Sequence, residues 1–439
     1  MSARWDVIVV GAGPAGIVAA NRLRAAFPRV LLLEAGPGLK RSEAPPPVDE
    51  AAWRYRTTAT GHVDWMRTHA VGGRSNSWGA WMTRFSPEVF ASGWPYSARE
   101  IARYYTAIER WIGVETGICP PRFRAAGRAL GLRVEAKRTV DGPRAWQPSG
   151  TPVARTARTS TVALRLEWEN GAARGLTLRD PRGVERTVEA TAIVLAASPI
   201  ETCRILLESG ISHPRLGAGL TDHVVSSFAL AEPFVTPAVR NPGQLERCAA
   251  IRHPPGADGA GFIVELEGPW PLAAAVPLVR RRATLDPREA SVTYLRGFGE
   301  ALANRKRFVD LAPRCRDAFG RRAPRLHLVD TRKDLAVVKR LQACMIDLAA
   351  QIATPGSELI EIYDGTKQRF IFHPAGTCRM GRTEADPCTP WGRLRALRNV
   401  WIADASVFPT PGDAHPSLTV MAHALRASED LIRMVASRG

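Results

Sequence analysis

The hydrophobic pattern opens with a short β-branched run, Val7-Ile8-Val9-Val10, closed at once by Gly11-Ala12-Gly13-Pro14-Ala15-Gly16. Apolar residues, then G-x-G-x-x-G, then a periodic stretch from Ile17 to Phe27 predict a strand, a tight turn and a helix, in that order. Within it the glycines have separate tasks. Gly11 permits the turn, Gly13 lets a pyrophosphate approach the backbone, and Gly16 lets the helix sit close to the sheet. The helix start, from Pro14 (which has no N–H itself) and Ala15, then offers its unpaired N–H groups to the phosphates. A second apolar strand, Val30 to Leu33, ends in Glu34 and Ala35, and Glu34 lies at the spacing of a ribose-binding carboxylate. The stretch predicts a dinucleotide site without saying which dinucleotide.

Downstream the patterning changes character several times. Trp53 to Trp81 is rich in aromatic and small polar residues and lacks a clean period. It holds Gly72, Gly73, Ser75, Asn76 and Trp78, a composition suited to backbone and ring faces lying against a ligand, or to an ordinary glycine-rich surface loop. A helix is predicted over 98–111. Short strands follow at 161–168, 176–179 and 192–195. The last feeds a turn and a helix over 201–208, so it belongs with the nucleotide-binding sheet. From Asp222 to about Phe370 alternating stretches, such as 261–266 and 291–295, predict a mainly antiparallel sheet. A longer helix over 333–350 carries an apolar stripe of Leu335, Val338, Leu341, Cys344 and Met345. A strand at 399–403 and a helix over 418–434 then return to the dinucleotide pattern. The fold class expected is α/β, a Rossmann-like domain plus a second α+β substrate domain. The segments are 1–225, 226–369 and 370–439.

Composition narrows this only a little. A chain of 439 residues exceeds what one core usually serves, which fits two domains. The formal net charge is +18, but Arg is scattered, and its densest groups, Arg280-Arg281-Arg282 and Arg321-Arg322, accompany no nucleic-acid motif. A basic solvated surface is expected, with an acidic substrate or acidic partner protein as the alternative, and no nucleic acid. Cys119, Cys203, Cys248, Cys315, Cys344, Cys378 and Cys388 form no C-x-x-C pair, which reads as reduced thiols in a soluble cytoplasmic protein. Asp6 and the glycine turn argue against a signal peptide. The Pro271 to Val279 run is too short to span a membrane.

The candidate chemistry lies near the C-terminus. Phe372 to Gly381 and Asp413 to Val420 each hold a histidine between turn residues, His373 and His415. A histidine is a reasonable base for a hydroxyl proton near neutral pH. His415 and Pro416 immediately precede a helix whose N-terminus would attract electron-rich atoms. No H-x-x-x-H occurs and neither histidine has an acidic neighbour at ligand spacing, so no metal is expected. Cys378 lies in no recognisable nucleophile–base arrangement.

These pieces together resemble the glucose–methanol–choline (GMC) oxidoreductase family, FAD-dependent enzymes that mostly oxidise alcohols. The matches run in the family's order: the GAGPAG turn with Glu34, VGGRSNSWGAW from Val71, GWPYSAREIARYYTAIERWIGV from Gly93, VLAASPIETCRILLESG from Val194, LTDH at Leu220 to His223, FHPAGTCRMG from Phe372, and NVWIADASVFPTPGDAHPSLTVMAHAL from Asn399. Residues 226–369 are weakly covered. The resemblance implies FAD, with Gly11, Gly13 and Gly16 at its pyrophosphate, Glu34 at its ribose and the backbone of Val162 at its adenine. Gly72, Gly73, Ser75 and Asn76 would lie along the pyrophosphate, ribityl chain and ring. Asp404 and Ala405 would hold the pyrophosphate side, and His415 and Pro416 would reach the flavin. His373 matches the invariant active-site histidine and His415 the second position. Ser77 stands nearest to where some relatives attach flavin through histidine, so noncovalent FAD is expected. The chain is shorter than typical members, which implies a more open pocket. The implied reaction is oxidation of a small-molecule alcohol, with oxygen or an external acceptor reoxidising the flavin. A lyase or other specialised tailoring reaction is the alternative.

Overall fold

Two sheets organise the chain in the computed structural model, which describes residues 4–39, 43–59, 63–140, 146–233, 248–253, 260–367 and 369–436. The strand Trp5–Val10, the helix Pro14–Arg24 and the strand Val30–Leu33 form the opening unit. The helix starts earlier than its apolar period suggests, because Pro14 presets the first helical φ. It also stops at Arg24 rather than Phe27: the amides of Ala26 and Phe27 both turn back to the Leu23 carbonyl.

Trp5–Val10 runs parallel between Val30–Leu33 and the C-terminal half of Glu185–Leu195. That long strand takes Val400–Ile402 on its other side, again parallel. Its N-terminal half pairs antiparallel with Ala172–Arg179, which in turn pairs with Val162–Glu169. One strand thus belongs to two pairing patterns. The parallel strands are apolar and buried over Val7–Val10, Val30–Leu33, Ala192–Leu195 and Val400–Ile402, as strand segments covered on both faces must be. The helix Ser417–Ala436 packs on Pro14–Arg24 and on Ala98–Ile112. Ala98–Ile112 starts at a reciprocal cap between Ser97 and Glu100.

The second sheet has six antiparallel strands, in the order Glu358–Tyr363, His223–Pro233, Ala290–Glu300, Phe262–Pro271, Cys248–His253 and Arg133–Ala136. Arg133–Ala136 comes from far upstream of 226 and covers the edge left by Cys248–His253. The helices Arg332–Ile352 and Pro121–Ala129 cover one face. Phe262, Val264, Leu266 and Leu295 point into that layer, against Leu341 and Met345. The buried stripe of Arg332–Ile352 runs through Val337, Val338, Leu341, Met345 and Leu348, while Leu335 is exposed. Contact is tight enough that Gly297 and Gly299 have no room for a side chain: a Cβ would stand 2.5 Å from Leu341 Cδ1 and 2.6 Å from Val337 Cγ1.

Period-two alternation decides what the opposite face carries. Since Val264 and Leu266 face the helices, Glu265 faces away from them, and the same phase sets Arg252, Phe298 and Glu300 on that side. Cys119, Cys203, Cys315, Cys344, Cys378 and Cys388 are unbonded. The side chain of Cys248 lies outside the described residues. Among the described residues no helix is long and apolar enough to cross a membrane.

Candidate active site

The glycine turn and the C-terminal histidine segment share one cavity. Gly11, Gly13, Pro14, Ala15, Glu34, Ala35 and Val162 line it, as do Gly73, Ser75, Trp78, His373, Asp404, Ala405 and Pro416. Gly16, Gly72, Asn76 and His415 are not among the residues that line it. A Cβ on Gly16 would lie 1.8 Å from the Gly11 carbonyl oxygen, so its role is close packing of the turn on the helix. Gly72 donates its N–H to the Ala12 carbonyl at 2.8 Å, which seats the second glycine loop on the first turn. Asn76 Nδ2 donates to the carbonyls of Val71 and Gly73 at 3.0 and 2.8 Å and braces that loop from behind. The loop is therefore docked on the turn rather than free on the surface.

The donor set fits a dinucleotide. No atom lies within 4 Å of where a Gly13 Cβ would stand, so the cavity meets bare backbone there. Glu34 Oε2 accepts the Ala12 N–H and Oε1 the Gly36 N–H, both at 2.9 Å. Each oxygen keeps a lone pair for a ribose hydroxyl. Burial pushes the Glu34 carboxyl up to about 7, against the pull of those amides. Asp404 accepts the Ser406 N–H at 2.9 Å and the Thr202 hydroxyl at 2.5 Å.

Three histidines converge where His373 meets the cavity. The strand His223–Pro233 starts at His223, whose Nδ1 is 2.9 Å from His373 Nδ1 and whose Nε2 is 2.7 Å from the Gly412 carbonyl. His373 Nε2 lies 3.4 Å from His415 Nδ1. His415 Nε2 is hydrogen-bonded to Glu265, whose side chain is buried. Asp222 Oδ1 accepts the backbone N–H of His223 at 2.7 Å and of His373 at 2.6 Å, so one carboxyl anchors both residues. Phe298 packs edge-on to the His415 ring at 4.6 Å. Burial first, and then His223, His415 and Arg74, hold the His373 imidazolium well below its ordinary range.

The C-terminal loop carrying His415 is held by side chains of the antiparallel sheet. Arg252 Nη1 donates to Asp413 Oδ2 at 2.7 Å, while Asp413 Oδ1 accepts the Ser86 N–H at 3.1 Å. Asp222, His223 and His373 also bring three metal-capable atoms within 4.8 Å of one another. The Nδ1–Nδ1 separation is a hydrogen-bond length, so the two rings share a proton as they stand; Asp222 Oδ1 takes two amides, and its buried Oδ2 has no hydrogen-bond partner among the described residues.

Several wall residues carried no sequence signal of their own. Trp53 stacks on His69 at 3.9 Å beside Arg321, all three on the cavity. Arg74 is enclosed at the cavity near Phe372, with no hydrogen-bond acceptor for its guanidinium among the described residues. His223 lay within the LTDH match and Glu265 was the one charge in the apolar stretch 261–266, which are the signals that could have found them.

Comparison with known proteins gives a consistent set of likenesses. Two family models, both described as GMC oxidoreductase, match residues 144–225 and 304–424. The paromamine 6'-oxidase of Streptomyces fradiae is 28% identical, covering 99% of this chain and 92% of that protein. The 6'''-hydroxyparomomycin C oxidase of Streptomyces lividus is 27% identical, with the same 99% and 92% coverage. The crystal structure of pyridoxine 4-oxidase from Mesorbium loti superposes with a TM-score of 0.63 at 19% identity, covering 97% of this chain and 99% of that one.

Proposed function

The chain belongs to the GMC oxidoreductase family, and on that premise we propose that it oxidises the carbinol of a small-molecule alcohol to an aldehyde or ketone, with His373 as the base. FAD, when bound, supplies the hydride acceptor. The observation that carries the reading is the shared cavity: the bare glycine turn and the His373 side chain line the same space.

The chain's own residues divide the work. Glu34 would hold the adenosine ribose, and Gly13 with the helix start and Asp404-Ala405 would hold the pyrophosphate, all of them on the cavity. Val162 would meet the adenine, and Trp78 and Pro416, on the same cavity, would stand near the flavin. Ser77 offers no imidazole for attachment, so the flavin is held noncovalently and leaves the chain on acid precipitation. His373 stays unprotonated near neutral pH and can accept the hydroxyl proton as the hydride leaves. Its Nε2 and His415 Nδ1 face each other, so a proton taken there is shared, and Glu265 on His415 Nε2 balances the charge. The relatives named as oxidases of paromamine and 6'''-hydroxyparomomycin C support a polar small-molecule donor, with oxygen or an external acceptor closing the cycle. The unbonded cysteines suit the reducing cytoplasm.

Anaerobic mixing of the flavin-loaded protein with candidate alcohols tests this. The yellow flavin bleaches in step with carbonyl product. His373→Ala keeps its FAD and slows bleaching by about 10²–10⁴-fold. Bleaching at the wild-type rate in that variant rules the role out.

A further inference from the structure

The three ring systems can be assigned proton by proton, starting from a partner that cannot donate. The Gly412 carbonyl only accepts, so His223 Nε2, 2.7 Å away, carries a hydrogen. Burial pushes His223 down to about 3, so the ring is neutral and its Nδ1 is bare. Two bare nitrogens 2.9 Å apart would repel, so His373 Nδ1 bears the hydrogen and donates it to His223 Nδ1. Neutral His373 then has its lone pair on Nε2, the atom that faces His415.

The opposite tautomer has a strong competitor in the same site. Glu265 takes the His415 Nε2–H, which in the neutral ring leaves Nδ1 bare. A His373 ring with its hydrogen on Nε2 would donate to that nitrogen and present no lone pair there. His415 alone therefore favours the unproductive form, and the contact with His223 opposes it. We propose that His223 is a positioning residue that holds His373 in its Nδ1–H tautomer and so keeps the Nε2 lone pair free. His223 is itself held twice, by its backbone N–H on Asp222 at 2.7 Å and by its place at the start of a strand paired on both sides. The inference rests on His373 as the base, but the tautomer can be read without turnover.

The test uses the flavin-loaded protein with ¹⁵N-labelled histidine. In the wild type the His373 Nδ1 resonance shows the protonated shift and Nε2 the bare one. In His223→Leu the two exchange places, and bleaching by an alcohol slows by about 10²–10⁴-fold, the scale of a wrong tautomer. His223→Gln offers an amide oxygen to His373 and an N–H to Gly412, so it restores the wild-type shifts and most of the rate. Because Gln can offer the same two bonds, its rescue separates positioning from simple loss of packing in the Leu variant. Unchanged His373 shifts in His223→Leu overturn the proposal, as does a Gln variant no better than Leu in both readouts. If no alcohol bleaches the wild type while the shifts behave as stated, the alcohol reading fails and the tautomer assignment stands.

Discussion

At the glycine turn the contacts that shape the cavity are made by main-chain atoms: Gly13 bare to the space, Gly72 N–H on the Ala12 carbonyl, the Ala12 and Gly36 amides on Glu34. Around His373 they are made by side chains drawn from separate places, His223 and Glu265 from two strands, Arg252 from a third, and His415 from the last loop. Close backbone approach excludes side chains over several consecutive positions, and that exclusion is written locally as glycine. A side-chain cluster needs one residue per strand and imposes nothing on its neighbours beyond period two.

The contrast can be broken most sharply at Gly16. A Cβ there would stand 1.8 Å from main chain that cannot yield, so Gly16→Val costs more than the usual overpacking of about 1–3 kcal/mol. Purified Gly16→Val is expected to lose most of its flavin absorbance. Flavin retained at the wild-type ratio would show that backbone exclusion is not what the turn requires. Glu265→Gln probes the side-chain half: it keeps an acceptor for His415 but removes the charge. Bleaching by alcohol is expected to slow by about 10²-fold with FAD fully retained.

Gly297→Ala separates the two sides of the antiparallel sheet. Its Cβ enters the helix-covered face, against Leu341, and should cost about 1–3 kcal/mol in urea denaturation while leaving the bleaching rate per bound flavin near wild type. The smallest effect is a pH slope. Glu34 is raised to about 7 when folded, so the folded chain keeps a proton that the unfolded chain releases near 4.5. Its contribution to the stability of the FAD-free protein is therefore present at low pH and is lost as pH rises toward 7. Glu34→Gln removes that share, and its urea midpoint should fall less between about pH 5 and pH 7 than that of the wild type. An equal fall would place the titration elsewhere.

The same contrast accounts for what could be read from the sequence. The turn, Glu34, the Gly72-Gly73 loop and the two C-terminal histidines announce themselves through glycines and turn residues packed into short windows. The strands at 261–266 and 291–295 were also legible from alternation. What alternation could not supply was phase relative to a partner. Glu265 reads as one acid in an apolar strand until Val264 and Leu266 are seen to face the helices. His223 required the path of the chain through Gly412, and the strand Arg133–Ala136 required knowing which sheet edge lay open. Arg74 shows the limit from the other side: it sits inside a recognised loop, yet only three dimensions show that its guanidinium meets the Phe372 ring and has no hydrogen-bond acceptor among the described residues.

The pairing of Val400–Ile402 with Glu185–Leu195 has a consequence in the order of synthesis. At roughly 10 residues per second, about 20 seconds separate the emergence of those two strands from a ribosome. Until the second appears, the long strand has one parallel neighbour and an open edge, and Asp404, Ala405 and Pro416 are not yet there to close the cavity. A chain interrupted before that point carries the complete glycine fingerprint and half a binding site. Cofactor loading is then a reading of chain completion, and an interrupted product is recognisable as colourless protein with an uncovered strand.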